Sequence, residues 1–161
     1  MMNKAVFLDR DGVINRDISD YTYRLEDFKI LEGVIEAMKI FRDKGYKMIV
    51  ITNQGGIGKK LYTHKDVHIL HDHLIKILAA ENIHLDEIYY CPHHPVSSNC
   101  LCRKPGSIMI EKALARFEID PKQSYFIGDM DRDVEAGINA GVTPVKIESN
   151  TSLMKITGLI K

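Results

Sequence analysis

Short, continuous apolar runs recur along the chain, and segments with apolar residues at helical spacing separate them. Apolar runs that end in polar or glycine-rich turns are typical of strands buried on both faces of a sheet. Five strands are predicted in this way: Lys4 to Leu8, Lys47 to Thr52, Glu87 to Tyr90, Ser124 to Ile127 and Thr143 to Ile147.

The segments between the strands predict four helices, because their apolar residues recur every three or four positions and so share one helix face. Thr63 and Ser107 are residue types that cap helix starts, and glycines such as Gly45 and Gly141 are typical of helix ends. The first predicted helix lies between Gly33, which precedes it, and Gly45, which ends it. The others run from a Thr63 cap to about Asn82, from a Ser107 cap to Phe117 and from about Arg132 to Ala140, with a loop over residues 15–29 and a further short helix in the last dozen residues.

Strands that alternate with helices predict an α/β fold, because parallel strands need a crossover connection. We expect a Rossmann-like three-layer sandwich with a mainly parallel sheet, formed by residues 1–161 as one domain. Ligands of such folds bind beyond the carboxyl ends of the strands. Polar residues stand at those ends: Asp9 and Asp11 after the first strand, Thr52 and Asn53 after the second, and Asp129 after the fourth.

The composition changes this picture little but excludes some function classes. The 161 residues are 45% hydrophobic, which is enough for one core, and 22 basic residues balance 22 acidic ones. A net charge of zero argues against non-specific binding to nucleic acid or to anionic lipid. No apolar stretch approaches the roughly 20 residues of a membrane span, and the apolar run at the N-terminus is too short for a signal peptide. We therefore expect a monomer in the cytoplasm, without membrane or nucleic-acid partners.

Carboxylates that meet at one sheet edge need a cation, since like charges in a cleft disfavour one another's ionised form. Mg²⁺ suits an all-oxygen set of ligands and a phosphate group. Thr52 and Lys104 add a hydroxyl and a positive charge, so the set is suited to binding and polarising a phosphoryl group. Asp9 and Asp11 can divide the remaining work, one as nucleophile and the other as general acid and base.

The three cysteines, Cys91, Cys100 and Cys102, lie within twelve residues of one another. An odd, clustered set is poorly explained by disulfides, so metal ligation is the favoured interpretation. With His93, or with His94 in its place, the cysteines offer the ligands of a tetrahedral zinc site. Four protein ligands leave no position open for water, and such a site is structural. Three free cysteines are the alternative interpretation.

Four segments of the chain, FLDRDGVIN, ITNQGGIG, CPHHP and CRKPG, together with Gly128-Asp129, carry a family resemblance. In this order they resemble the motifs of the haloacid dehalogenase (HAD) phosphatases, and most closely the subgroup of heptose-bisphosphate and histidinol phosphatases. The resemblance covers nearly the whole chain and implies a HAD-like fold. Since no insertion is visible between the first motifs of the 161 residues, we expect no large cap domain. The resemblance also favours His93 over His94 as the fourth zinc ligand, in a zinc-binding loop over residues 91–102.

The resemblance implies a role for each matching residue. Asp9 is the expected nucleophile, which forms an aspartyl-phosphate, and Asp11 is the expected general acid and base. Mg²⁺ is expected on the Asp9 carboxylate, the Asp11 backbone carbonyl and Asp129, while Thr52 and Lys104 stabilise the transferring phosphoryl group. The expected substrate contacts are Asp17, Tyr21, Asn53, Gln54 and Arg103, with Arg103 on a second phosphate. The role of Asp133 is left open: it is either part of this site or only a charge that complements a helix dipole.

Within the subgroup, the stretch NRDISDYTYRLEDFKILEGV is more similar to the heptose enzymes. The expected reaction is removal of the 7-phosphate of D-glycero-D-manno-heptose 1,7-bisphosphate. The chain departs from the subgroup at Met130, where a basic residue is common, and one contact to substrate is therefore missing. Histidinol-phosphate hydrolysis is the alternative activity, and a non-catalytic binding module held together by zinc is the alternative from another class.

Overall fold

The fold is built on a five-stranded, all-parallel sheet, as a computed structural model of the chain describes it for residues 2–161. Its strands follow one another across the sheet in the order β3-β2-β1-β4-β5. This arrangement confirms the predicted α/β fold. The strands are β1 (Ala5–Leu8), β2 (Lys47–Asn53), β3 (Glu87–Cys91), β4 (Tyr125–Gly128) and β5 (Thr143–Lys146).

Four α-helices connect the strands: α1 (Val34–Asp43), α2 (His64–Ala80), α3 (Ile108–Arg116) and α4 (Asp131–Ala140). Short 3-10 turns lie at Leu25–Asp27, Pro121–Gln123 and Leu153–Ile156. The first of these turns interrupts the predicted loop over residues 15–29, and the last is the short C-terminal helix that the sequence predicts. Across residues 2–161, no helix combines the length and the apolar character that a membrane crossing requires.

The two predicted helix caps have different outcomes. The Thr63 hydroxyl accepts a hydrogen bond from the Asp66 backbone amide at 3.3 Å, and the Asp66 carboxylate accepts one from the Thr63 amide at 2.8 Å, so the cap on α2 is confirmed. The Ser107 cap on α3 is wrong, because no backbone amide donates to its side chain. Its hydroxyl donates instead to the Glu111 carboxylate one helical turn away.

Two hydrophobic cores cover the sheet, one on each face. Val6 and Leu8 of β1 point into the core beneath α1 and α2, whereas Phe7 points into the core beneath α3 and α4. This alternation arises because successive side chains of a strand point to opposite faces. The predicted three-layer sandwich is thereby confirmed.

The chain reverses its direction across the sheet at β1, because β2 and β4 flank this strand on opposite sides. Such a switch point leaves a crevice beyond the carboxyl ends of the strands, where ligands of open α/β sheets bind. The segments that follow β1, β2 and β3 at this edge, residues 9–33, 54–63 and 92–107, contain no strand and no α-helix. In the part of the chain that the structure describes, no inserted domain covers the crevice.

Candidate active site

An open cavity of about 390 Å³ lies at the carboxyl edge of β1, β2 and β4. Eight residues predicted for the site contribute to its wall: Asp9, Asp11, Asp17, Tyr21, Thr52, Asn53, Gln54 and Asp129. The other lining residues are Ser19, Asp20, Thr22, Met130 and Arg132. The two other predicted residues do not line the cavity: Lys104 is buried beneath its wall, and Arg103 lies outside it.

Three carboxylates meet at this edge of the sheet, two in the cavity wall and the third, Asp133, behind it. Asp9, Asp129 and Asp133 each place an oxygen within 4.8 Å of the others, and all three residues are buried. Asp129 Oδ1 has no hydrogen-bond partner, although it is shielded from solvent. A buried carboxylate oxygen without a partner is unfavourable unless a cation binds it. The donor set therefore fits a hard divalent cation such as Mg²⁺.

The loop after β1 passes directly over Asp129. Gly12 makes this approach possible, because its φ of +84° is a conformation that favours glycine and a Cβ there would lie 2.4 Å from Asp129 Oδ2. Burial raises the pKa of Asp129, while a hydrogen bond from Ser149 opposes the shift. The glycine of the DRDG segment and the aspartate after β4 are thus held against each other at this turn.

Lys104 is the buried cation of the site. Its Nζ lies 2.8 Å from Asp9 Oδ1 and 2.7 Å from Asp133 Oδ1, and it donates to the Ile51 carbonyl at 2.9 Å. Burial alone lowers the pKa of Lys104, but the two carboxylates outweigh it and leave the pKa raised. Asn53 fixes the backbone here, since its amide oxygen accepts from the Lys104 amide at 3.0 Å. Lys104 is therefore a charged, immobile partner of Asp9.

Asp133 makes two contacts in the structure, and they decide between the two roles that the sequence left open for it. Besides the ion pair with Lys104, its Oδ2 accepts a hydrogen bond from the Met130 amide at 3.0 Å and so caps α4. Asp133 is 1% exposed, which is far more buried than a residue that only complements a helix dipole needs to be. It belongs to the site through Lys104.

Burial raises the pKa of Asp9 to about 7, with Lys104 lowering it and the neighbouring Asp133 raising it further. Asp9 Oδ1 forms the ion pair with the Lys104 ammonium and also accepts a hydrogen bond from the Arg10 backbone amide at 2.8 Å. Both contacts go to the same oxygen. Asp9 Oδ2 is consequently the oxygen that remains available toward the cavity.

Arg10 is a site residue that sequence reasoning missed. It is fully buried, and its Nη2 donates to Asp11 Oδ1 at 3.0 Å and to the Thr22 carbonyl at 2.8 Å. Its Nη1 lies 3.3 Å from His71 Nε2 on α2. Burial and the Arg10 charge lower the pKa of His71 to about 3, so a neutral His71 accepts from Arg10. The only signal in the sequence is the position of Arg10 between two predicted site aspartates.

Gln54 completes the support of Asp11. Its Nε2 donates to Asp11 Oδ2 at 3.1 Å and to Thr52 Oγ1 at 2.9 Å, while its Oε1 accepts from the Tyr62 hydroxyl at 2.7 Å. Asn15 donates to Asp11 Oδ1 at 2.9 Å. The Gln54 amide, expected on substrate, is thus engaged within the protein and holds the Asp11 carboxylate in one orientation.

The remaining predicted substrate residues lie on two sides of the site. Asp17 is held on the cavity rim by Asn150, whose side chain pairs with both its backbone amide, at 2.7 Å, and its carbonyl, at 3.0 Å. Tyr21 packs against Tyr62 with ring centroids 5.9 Å apart. Arg103 points its Nη1 to the His93 carbonyl at 3.1 Å, and this contact joins the cysteine-rich loop to the segment before Lys104.

The cysteine cluster assembles next to the active site. One atom from each of Cys91, His93, Cys100 and Cys102 lies within 4.8 Å of the others. His93 Nδ1 is 3.5 Å from Cys91 Sγ and 3.3 Å from Cys102 Sγ. Separations of this size match the edges of a tetrahedron around zinc, given zinc–ligand distances of about 2.0–2.3 Å. His94 instead accepts from the Val96 amide at 3.2 Å, outside the cluster.

Comparisons with known proteins give these residues a context. A HAD-hydrolase-like family model matches residues 101–153. The D-glycero-alpha-D-manno-heptose-1,7-bisphosphate 7-phosphatase of Campylobacter jejuni is 43% identical over 142 residues, which are 88% of this chain and 80% of that protein. The D-glycero-beta-D-manno-heptose-1,7-bisphosphate 7-phosphatase of Helicobacter pylori strain 26695 is 42% identical over 154 residues, which are 95% of this chain and 85% of that protein.

A solved structure is similar over the whole fold. The D,D-heptose 1,7-bisphosphate phosphatase from B. bronchiseptica, crystallised with magnesium and phosphate, superimposes with a TM-score of 0.85 and 28% identity, covering 99% of this chain and 87% of that one. Identities above 40% across most of both chains place the sequence in a family as well as a fold. The chain belongs to the HAD superfamily of phosphatases, in the family of heptose-bisphosphate phosphatases.

Proposed function

We propose that this phosphatase removes the 7-phosphate of D-glycero-D-manno-heptose 1,7-bisphosphate through an aspartyl-phosphate on Asp9. The observation that carries the proposal is the asymmetry of the two catalytic carboxylates. Lys104 and the Arg10 amide hold one oxygen of Asp9 and leave the other toward the cavity. Asp11 is held apart by Arg10, Asn15 and Gln54. Such an arrangement suits one nucleophile and one proton carrier.

A Mg²⁺ ion is proposed on Asp9, Asp129 and the Asp11 backbone carbonyl, supported by the unpartnered, buried Asp129 Oδ1. When bound, Mg²⁺ supplies positive charge that offsets the repulsion between the carboxylates and the phosphate and polarises a phosphoryl oxygen. Thr52 offers its hydroxyl from the end of β2, on the cavity wall. Lys104 contributes a fixed positive charge beneath Asp9.

The proposed reaction has two displacements at phosphorus. Asp9 Oδ2 attacks, a bond from Oδ2 to phosphorus forms, and the bond from phosphorus to the sugar oxygen breaks while Asp11 donates its proton to that oxygen. A water molecule then attacks the same phosphorus and gives a proton to Asp11, so that a bond from the water oxygen to phosphorus forms while the bond from phosphorus to Asp9 Oδ2 breaks. Inorganic phosphate leaves, and Asp9 and the protonated Asp11 are restored. Arg10 and Gln54 keep Asp11 in place for both proton transfers.

A substrate panel tests the proposed function. Phosphate release is measured with heptose 1,7-bisphosphate, histidinol phosphate and 4-nitrophenyl phosphate, each with and without Mg²⁺. The expected result is Mg²⁺-dependent turnover with the highest kcat/KM on the heptose bisphosphate. A higher kcat/KM on histidinol phosphate would favour that activity instead, and no Mg²⁺-dependent turnover of any of them would favour a non-catalytic module.

Mg²⁺ binding is expected to depend on pH. In the metal-free protein, the raised pKa values of Asp9, about 7, and of Asp129 mean that protons occupy the site in acid. For carboxyls with raised pKa values, stability is lost as the pH rises from about 4 through about 7, because the folded state then holds buried negative charge that Lys104 offsets only in part. Mg²⁺ relieves that charge. We therefore expect Mg²⁺ to raise Tm more at about pH 8 than at about pH 5.5.

This expectation is tested by measuring Tm in thermal unfolding with Mg²⁺ and with chelator at both pH values. Asp9→Asn is the matched control, since an amide has no proton to lose in this range. The control is expected to show a flatter pH dependence of the Mg²⁺ effect. An equal Mg²⁺ effect at the two pH values in the natural protein would contradict a site on Asp9 and Asp129.

We also propose that Cys91, His93, Cys100 and Cys102 bind one structural zinc ion. The support is the convergence of one ligand atom from each of the four residues, all within 4.8 Å of one another. The site would link β3 to the segment that begins at Cys102 and leads to Lys104. Zinc would therefore stabilise the position of Lys104, although it would make no contact with substrate.

The zinc proposal predicts about one zinc per chain in protein purified without chelator. His93→Ala is expected to lose zinc and to lower Tm, whereas His94→Ala is expected to keep it, because the His94 ring lies outside the cluster. Metal analysis and thermal unfolding measure both effects. Equal zinc content in the two variants would contradict the ligand assignment.

A further inference from the structure

The hydrogen bonds of the Arg10 guanidinium divide between the active site and helix α2. Nε and Nη2 face Asp11, at 3.3 and 3.0 Å from its Oδ1, and Nη2 also donates to the Thr22 carbonyl. Nη1 points to His71 Nε2 at 3.3 Å, and among residues 2–161 it has no other hydrogen-bond partner. The acceptor on His71 therefore fixes the edge of the guanidinium that faces away from Asp11.

Helix α2 holds His71 firmly in this place. The residue is 6% exposed and lies next to Leu70 and about one turn from Leu74, two fully buried residues of the core beneath this helix. The Tyr90 ring of β3 meets the imidazole edge-on, with ring centroids 5.8 Å apart. His71 does not line the active-site cavity. It can therefore act on the reaction only through Arg10.

The chemistry of this pair requires a neutral His71. An arginine side chain has only N–H donors, so His71 Nε2 must accept and cannot itself carry a proton. Burial and the Arg10 charge lower the pKa of His71 to about 3, in agreement with this geometry. A neutral acceptor satisfies the buried N–H, whereas a second carboxylate would compete with Asp11 for the cation. Among residues 2–161, Asp11 is thus the one carboxylate that forms an ion pair with Arg10.

Asp11 needs this support because it must reach into the cavity. Its side chain is 29% exposed, while that of Arg10 behind it is completely buried. Catalysis is sensitive to placement, since a shift of about 1 Å can lower a rate by about 100-fold. A buried guanidinium that lost the partner of Nη1 would shift to satisfy that N–H, and it would move Asp11 with it.

We propose that His71 is a positioning residue for proton transfer at Asp11, and that it acts as the neutral acceptor that orients Arg10. The inference rests on the proposed function and deepens it, since it assigns the orientation of Asp11 in part to a helix that does not line the cavity. Loss of the His71 acceptor should therefore weaken protonation of the leaving oxygen more than any other part of the reaction.

The test compares His71→Leu with the natural protein on two substrates that differ in their need for a proton. The sugar oxygen of heptose 1,7-bisphosphate must be protonated to leave as an alcohol, whereas 4-nitrophenyl phosphate releases 4-nitrophenolate, a stable anion. kcat/KM reports the steps up to departure of the leaving group, so hydrolysis of the phosphoenzyme does not enter it. We expect His71→Leu to lose about 10- to 100-fold in kcat/KM on the heptose bisphosphate and less than about threefold on 4-nitrophenyl phosphate.

Further substitutions separate positioning from stability. His71→Gln keeps a neutral acceptor at about the reach of Nε2, and it is expected to recover kcat/KM on the heptose bisphosphate to within about threefold of the natural protein. Leu78→Ala removes a fully buried side chain about two turns along α2, so it lowers Tm and is expected to affect both substrates alike. If His71→Leu does not fold, His71→Asn takes its place, because the shorter amide does not reach Nη1.

An equal loss on the two substrates in His71→Leu, or no loss on either, would overturn the assignment while the proposed function stands. So would a His71→Gln protein as slow as His71→Leu, or the same selective loss in Leu78→Ala. If the natural protein hydrolyses only histidinol phosphate, the proposed substrate is wrong, and the same comparison is made on that alkyl phosphate. If it hydrolyses neither, the proposed function fails first, and this inference fails with it.

Discussion

Replacing Asp9 by Asn is expected to abolish phosphate release and to leave the protein folded. An amide cannot attack phosphorus and is a poor ligand for Mg²⁺, so we expect kcat to fall by about 10⁴-fold or more. Folding should survive because Lys104 keeps its ion pair with Asp133 and its hydrogen bond to the Ile51 carbonyl. The raised pKa of Asp9 also shows that its charge is costly in the metal-free fold.

Steady-state kinetics and thermal unfolding separate the two expectations. Asp43→Asn, a change of the same kind on the exposed surface of α1, is the control and should keep natural activity. The covalent step has its own readout, which is a hydroxylamine-sensitive phosphoprotein that forms in the natural protein during turnover and not in Asp9→Asn. Substantial activity in a folded Asp9→Asn protein would remove Asp9 from the role of nucleophile.

Local sequence signals predicted the frame of the site well. Asp9, Thr52 and Asp129 follow buried apolar runs, and parallel strands bring such positions to one edge of the sheet. Their placement in the cavity wall therefore depends only on periodicity and topology, which a single sequence carries. The cysteine cluster was equally predictable, because its ligands are close in the sequence.

The long-range contacts could not be predicted in the same way. Arg10 is part of a charged DRDG segment, a composition typical of a solvated turn, yet it is buried because Thr22 and His71 meet its guanidinium. His71 is 61 residues away on α2, and no local pattern marks it.

Arg132 presents the opposite problem. It stands between two aspartates at the start of the predicted fourth helix, and among residues 2–161 it is the one of these three charged residues that forms no ion pair. Which of the three remains free is decided by Lys146 and Lys104. Those two lysines come from separate parts of the chain, on either side of α4 in the sequence. A single sequence therefore cannot assign the free cation, whereas the packed structure can.

Lys104→Met is expected to damage both stability and turnover. Lys104 is 1% exposed and lies within 2.8 Å of Asp9 Oδ1 and 2.7 Å of Asp133 Oδ1, so its removal leaves two buried carboxylates without their cation. Loss of one partner of a buried ion pair costs about 3–5 kcal/mol of unfolding free energy. The phosphoryl group also loses a fixed positive charge, and we expect kcat to fall by about 10²- to 10³-fold.

The double variant Lys104→Met/Asp133→Asn separates these two effects. The second substitution removes the unpaired charge, and the amide oxygen that it introduces can still accept from the Met130 amide and cap α4. The double variant should therefore regain part of the unfolding free energy that Lys104→Met loses, a coupling that a double-mutant cycle in urea measures. Activity should stay low, because neither substitution returns a cation to Asp9. Recovery of turnover together with stability would mean that Lys104 acts on catalysis only by keeping the site folded, and its proposed contribution to phosphoryl transfer would be withdrawn.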